Sequence, residues 1–500
     1  MKRMSKPLLS LSLLIIASAI FHHRASLAQS QDPGAAANSA VQARIARVEK
    51  GLLPPVIIKG RNEPGMKLAD RMAFHKVRGV SIAVFDKSRI EWARGYGLAD
   101  VAGNGAVTAD TRFQAASISK PVSAAAVLHF VEAGKLDLDR DVNDYLKSWK
   151  VPENDFTRGQ KVTLRRILSH SAGLTVHGFA GYEAGKAVPT LVQVLNGEAP
   201  ANSEAIRVTL VPGSAFRYSG GGYTVMQQLL IDVLREPFPR IMQQTVLSKF
   251  GMSSSDFSQP LRDDWRGSAA AGYQADGTPV AGKYHTYPEL AAAGLWTTPS
   301  DLARFAMGIQ DAYAGKSHAV ISQKMAQQML TGQIDHVGLG VALDGSGQTL
   351  RFSHSGGNEG FQCLFVAYAH TGQGAVVMTN SDNGGELINE VMFGIAREYH
   401  WANFAPQERA VAKVDPKVYP DYVGRYMVRG GTIITISTRN HRLYAQATHE
   451  PEFELFPESP IKFFALVKDN EVVFERGASG KVDVMEIHQG GQSFPAKREQ

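Results

Sequence analysis

The chain has 500 residues and one cysteine, with 44% hydrophobic and 20% charged residues. These figures exclude a mainly disordered or fibrous chain, an internal disulfide, and a thiolate zinc or iron–sulfur site. The net charge of +6 does not call for a polyanion, because Lys2, Arg3, Lys6 and Arg24 supply four of those charges and no strongly basic block follows.

Met1–Lys6 is basic, Leu8–Phe21 is apolar apart from a few serines, and Ser26-Leu27-Ala28 places small residues before Gln29. That order is the pattern of a cleaved export signal over residues 1–28. The apolar run is shorter than the roughly 20 residues a membrane span needs. The expectation is an exported protein with no integral membrane anchor and no nucleic-acid partner. Residues 29–45 are rich in Ala, Ser and Gln and read as a flexible lead-in.

Val80–Phe85 and Ile90–Tyr96 flank the turn Asp86-Lys87-Ser88, the pattern of a hairpin. Helical patterns follow at Pro121–Ala133, Leu164–Leu168, Tyr223–Arg235 and Leu302–Gln310. Phe361–Ala369 and Gly374–Thr379 read as a second strand pair, and Glu386–Tyr399 as a closing helix. Strands at both ends with helices between predict an α+β fold over 46–404, with an antiparallel sheet built from both chain ends. Pro406, Pro416 and Pro420 mark 405–421 as a linker. Residues 422–500 alternate in short strands (Thr432–Ser437, Arg442–Ala447, Phe453–Phe456, Phe463–Lys468, Val472–Glu475, Val482–Ile487) and predict a small all-β barrel or sandwich.

The chemistry concentrates in Ala116-Ser117-Ile118-Ser119-Lys120-Pro121, ahead of a helical run. Residues three apart share a helix face, so Ser117 and Lys120 point the same way. A serine becomes a nucleophile when a base takes its proton, and a lysine is that base when burial lowers its pKa. Ser459 and Lys462 have the same spacing, but Pro460 and the β-rich surroundings deprive it of meaning. Tyr218, in Phe216-Arg217-Tyr218-Ser219-Gly220-Gly221-Gly222, stands on a Gly-rich loop ahead of a helix, where a phenol can relay protons. His170, in Leu168-Ser169-His170-Ser171-Ala172-Gly173-Leu174, reads as a residue that fixes a loop, since no second histidine at ligand spacing accompanies it. His354-Ser355-Gly356-Gly357 leads into an apolar strand, and its glycines allow a substrate close to backbone N–H groups. His177, Tyr182 and Trp296 are candidates for the cleft mouth or for packing. Cys363, in an apolar segment, reads as an inert buried thiol. No metal or cofactor motif is present in the sequence.

In order and spacing these motifs, together with Pro212-Gly213 and Gly294-Leu295-Trp296-Thr297-Thr298-Pro299-Ser300-Asp301-Leu302, resemble the serine β-lactamase-related hydrolases over residues 70 to 400. That family comprises class C β-lactamases, D,D-peptidases, esterases and D-aminopeptidases. The resemblance implies a β-lactamase/transpeptidase-like fold, an antiparallel sheet flanked by helices plus an all-α part, with the site between them. It implies Ser117 as nucleophile, Lys120 as its base partner and Tyr218 as the second proton-transfer residue. It places Gly220, His354, Ser355, Gly356 and Gly357 on the substrate, with the N–H groups of Ser117 and Gly357 as the oxyanion hole. Two departures stand out: Gly220 replaces an amide-binding Asn, and His354 replaces a carboxylate-binding Lys. Both favour a small neutral ester or amide over a β-lactam or a D-Ala-D-Ala peptide. The tail from Tyr422 resembles the lipocalin-like barrel appended to some members. The leading expectation is a serine hydrolase working through an acyl-enzyme on Ser117. The alternatives are a β-lactamase or D,D-peptidase, and a non-catalytic penicillin-recognising sensor.

Overall fold

A computed structural model describes residues 33–499, apart from 429–430, 449–450, 468, 478–479 and 490–491. The export segment expected at 1–28 lies outside the described residues. The apolar run Gly79–Asp86 forms β1 and turns back into β2 (Arg89–Asp100). Lys87 and Ser88 both have positive φ (52° and 58°), the mirror-image turn whose twist matches a hairpin. Gly105–Ala106 (β3), Ala342–Asp344 (β4), Arg351–Asn358 (β5), Phe361–Tyr368 (β6) and Gly374–Thr379 (β7) complete an antiparallel sheet in the order β3-β2-β1-β7-β6-β5-β4. The pairing of β1 with β7, Val80 opposite Thr379 and Phe85 opposite Gly374, joins the two ends of the domain as expected.

Both faces of this sheet are covered, which explains why β1 and β7 are apolar throughout rather than alternating. Ala83, Phe85, Phe365, Val376 and Met378 face the larger core, shared with the helices in the middle of the sequence. Ile82, Val84, Val366, Ala375 and Val377 face the other way, onto the closing helix Gly384–Glu398. The expected lead-in is corrected here. From Pro33 it belongs to a helix, α1 (Pro33–Glu49), with Ile45 and Val48 buried and Val41 packed beside them against that closing helix. The spacing 41, 45, 48 is a helical stripe, and alanines are strong helix formers, so the composition that resembled a linker builds a helix.

The C-terminal part also differs in detail from expectation. Within 405–421, Gln407–Arg409 pairs in parallel with Val56–Ile58, and Pro416–Tyr422 turns under the barrel with Tyr419 and Tyr422 buried. The tail closes into an eight-stranded barrel, from Gly424–Val428 round to Gln492–Arg498. Tyr422 stacks on Phe474 at 4.3 Å inside it. Ser459 merely caps the turn to Lys462, accepting from its N–H at 3.0 Å, and Lys462 pairs with Glu458 and Glu471.

One buried ion cluster ties the helix Leu68–Phe74 to the closing helix. Arg71 donates twice to Glu390, at 2.8 and 2.6 Å, and His75 Nε2 lies 3.0 Å from the same carboxylate, which is wholly inaccessible. Burial alone would raise the Glu390 pKa, but His75 and Arg71 outweigh it and hold the carboxyl below its usual range. Glu390→Gln leaves Arg71 without its counter-charge and is expected to cost about 3–5 kcal/mol in urea unfolding near neutral pH. A depressed carboxylate stabilises above its unfolded pKa and loses that contribution as pH falls through the folded one. The gap between wild type and variant should therefore shrink on acidification.

Candidate active site

The Ser117 turn is built where Phe113–Gln114 pairs with Trp296–Thr297, and Ala115 N–H donates to Leu295 O at 2.8 Å. Gln114, fully buried, spans this junction: its amide donates to His285 O and its oxygen accepts from Asn358. Ala116 then takes φ +46°, a left-handed conformation costly for a residue with a Cβ. Ser117 follows in a single 3-10 turn, Ala116–Ile118, which feeds the helix Ser119–Glu132. Ser119 to Leu128 are all buried, so this helix is packed on every side and Lys120 is enclosed with it.

Lys120 is 2% exposed. Its Nζ lies 2.9 Å from Ser117 Oγ and donates to Ala292 O at 2.8 Å. That carbonyl belongs to the short helix Leu290–Ala293, which is anchored from the helix Ser119–Glu132 by Ser119 Oγ accepting from Leu295 N–H. Burial pushes the Lys120 amine down to about 7. Glu289, which precedes that helix, is fully buried, and its carboxyl oxygens have no hydrogen-bond partner among the described residues. Burial pushes it up to about 8, so at neutral pH it is mostly protonated and adds little opposing charge.

Tyr218 approaches from the loop ahead of the helix Gly220–Leu234 and brings its phenol toward Ser117. Burial raises its phenol to about 12, the Ser117 hydroxyl offsetting part of the rise. Its ring centroid is 5.0 Å from Lys120 Nζ, 4.2 Å from the His170 ring, 4.8 Å from His177 and 6.3 Å from His354. Ser117, Lys120 and Tyr218 thus meet, with the amine poised to exchange a proton near neutrality and the phenol holding its own.

The segment His354–Gly357 is itself part of strand β5 rather than a lead-in to one, a difference from expectation. Glycine hid the strand because it is a poor strand former. Here it serves close approach: a Cβ on Gly356 would stand 2.3 Å from Ala115 O, 2.7 Å from Cys363 Sγ and 3.1 Å from Ser117 N. Gly357 lies opposite Gln362, and Ser355 and Gly357 are exposed. His354 Nδ1 is 2.6 Å from Ser355 O, and burial together with the Lys120 charge pushes the ring down to about 4. That shift leaves the ring without charge near neutral pH. Cys363 donates to Ala115 O at 3.2 Å, and burial pushes its thiol up, away from the reactive thiolate.

Gly220 differs from its expected place on the substrate. It is buried, and a Cβ there would meet the Phe179 ring at 3.0 Å and His177 O at 3.1 Å. Its N–H donates to His177 O at 3.0 Å. The stretch His177–Phe179 therefore lies across it. Of the three candidate mouth residues, His177 is exposed beside Tyr218, whereas Tyr182 and Trp296 are buried packing. The Ala292 carbonyl escaped sequence reading because a backbone group leaves no signal. Among the described residues no cluster of His, Cys, Asp or Glu could hold a metal ion.

The Beta-lactamase family model matches residues 67–391, and a domain of unknown function, DUF3471, matches 408–498. Penicillin-binding protein 4* of Bacillus subtilis is 23% identical over 429 residues, 81% of this chain and 91% of that protein. A penicillin-binding protein homologue from Pyrococcus abyssi, described as octameric, superposes with a TM-score of 0.59 at 20% identity, over 86% of this chain and 98% of that one. The D-amino acid amidase of Ochrobactrum anthropi superposes at 0.54 with 19% identity, over 73% and 99%.

Gly356→Ala would force β5 away from the Ala115–Ser117 turn. The expected result is a folded protein whose turnover of any wild-type substrate falls at least about tenfold, since small misplacements at a reacting centre carry large rate losses. Steady-state kinetics alongside a melting curve checks it.

Proposed function

The chain belongs to the Beta-lactamase family, and we propose that within it the protein is an exported serine hydrolase that cleaves small neutral esters or amides through an acyl-enzyme on Ser117. The observation that carries this reading is the enclosed Lys120 amine, 2.9 Å from Ser117 Oγ and pushed down to about 7. A lysine so placed can take the Ser117 proton as Oγ bonds to the carbonyl carbon. The carbonyl π electrons move to its oxygen, where the N–H groups of Ser117 and Gly357 would receive the negative charge. Collapse expels the alcohol or amine, which takes a proton from Lys120 or through Tyr218. Water then repeats the sequence and releases the acid.

The substrate class rests on the neutral surroundings. His354 carries no charge at neutral pH, and Phe179 with the His177 carbonyl fills the space beside Gly220 where an amide-binding side chain would stand. A carboxylate on the substrate therefore gains no cation from His354. A second reading, cleavage of a β-lactam or a D,D-peptide, is favoured by the names of the penicillin-binding relatives. Export is part of the proposal on the strength of residues 1–28 alone.

A fluorophosphonate should add one adduct to the mature protein, on the peptide containing Ser117, and Ser117→Ala should abolish it. A folded wild type that takes no adduct would sink the reading. p-Nitrophenyl acetate turnover should exceed nitrocefin turnover, and the reverse ranking selects the β-lactam reading. Because the neutral amine is the active form, kcat/KM should fall as pH drops through about 7. Lys120→Arg is charged at all these pH values, cannot release a proton in this range, and should lower kcat by at least about a hundredfold.

A further inference from the structure

His170 gathers more contacts to the catalytic loop than fixing a turn requires. It sits just past the helix Leu164–Leu168, at φ +56°, a conformation uncommon for a side chain of this size. In that conformation its carbonyl accepts from Arg217 N–H at 2.7 Å. Its ring Nδ1 accepts from Ser219 N–H at 3.1 Å. Its ring stacks on Tyr218, with centroids 4.2 Å apart and planes 27° from parallel. One residue thus holds three consecutive positions, and Tyr218 is the middle one.

The platform beneath is equally tied down. Tyr223, on the helix that follows the loop, lies 5.3 Å from the His170 ring and donates its hydroxyl to Leu168 O at 3.1 Å. Ser219 caps that helix by accepting from Gly222 N–H, and donates to Thr175 O. Lys120 Nζ also lies 5.0 Å from the Tyr218 centroid. The phenol is therefore held beside the amine by an imidazole that orients it.

We propose that His170 is the positioning residue of Tyr218, holding the phenol against Ser117 and shielding Lys120 from water. The inference rests on the serine-hydrolase reading of the site. The ring works only when neutral, because a proton on Nδ1 would face the Ser219 N–H. Burial first, and then repulsion from Lys120 when that amine is protonated, keep it so by lowering its pKa well below the usual value.

Two variants separate the ring's contributions. His170→Asn keeps an acceptor for Ser219 and suits the left-handed backbone, but removes the stack. His170→Phe keeps a stacking ring and removes the acceptor. Each is compared with wild type in fluorophosphonate labelling rate, p-nitrophenyl acetate kinetics across pH, and melting. The expected result, for whichever variants melt as folded proteins, is labelling and kcat lowered at least about tenfold with KM within about twofold. The acid limb of kcat/KM should also move to higher pH. The sign follows from water reaching Lys120: less desolvation raises the amine pKa, so the base is lost at higher pH. A merely structural role would scale the amplitude and leave the limb in place. Wild-type rates with an unmoved limb in a folded variant overturn the proposal, as does a loss confined to KM. A wild type that takes no label overturns the serine-hydrolase reading itself, and the positioning role with it.

Discussion

The domain that holds Ser117 is organised around one enclosed amine. An ammonium group buried without a carboxylate is strongly disfavoured, and the protein meets that constraint by letting the group lose its proton near neutrality. The surrounding arrangement follows from this. Lys120 has a serine hydroxyl, one backbone carbonyl and two aromatic rings for company. Glu289 is mostly protonated, His170 and His354 are neutral, and Cys363 remains a thiol. A carboxylate beside Lys120 would raise its pKa and remove the base. The same neutrality leaves the surroundings of Ser117 with little charge, and the proposal of uncharged substrates rests on it.

Holding such an amine requires rigidity on every side. The helix that carries it is buried on every side from Ser119 to Leu128, which is the pattern of an element between layers rather than one at a surface. The serine precedes that helix on a turn strained at Ala116, pinned by the pairing of Phe113–Gln114 with Trp296–Thr297 and pressed by Gly356. Strain of this kind persists only when neighbours over-determine it, and here three separate segments do.

What could be read from sequence divides along a physical line. The Ser117–Lys120 pair was legible because side chains at helical spacing must share a face. The sheet ends were legible because strands buried on both sides are apolar throughout. The helix Pro33–Glu49 was misread because alanine and serine serve linkers and helices alike, and only the stripe of Val41, Ile45 and Val48 distinguishes them. The strand through His354–Gly357 was hidden because its glycines are there for close approach, against local propensity. Gly220 was placed on the substrate by its motif, whereas the residue that covers it, Phe179, lies some forty positions earlier in sequence. No spacing rule reaches across that distance, so contacts set by loops stayed invisible.

His170 illustrates the intermediate case. Sequence reading placed it in a loop it would fix, and that is where it lies, but not which loop or why. The reason is a division of labour between backbone and ring. The left-handed turn at His170 aims the carbonyl at Arg217, and the ring then reaches Ser219 while lying flat on Tyr218. A side chain there needs an acceptor one atom past Cγ, a flat apolar face and no charge. Neutral imidazole meets all three, whereas Asn and Phe each meet only part of the requirement. The position thus uses histidine for its shape and its lone pair, in a site where its familiar capacity to titrate has been suppressed by burial beside Lys120.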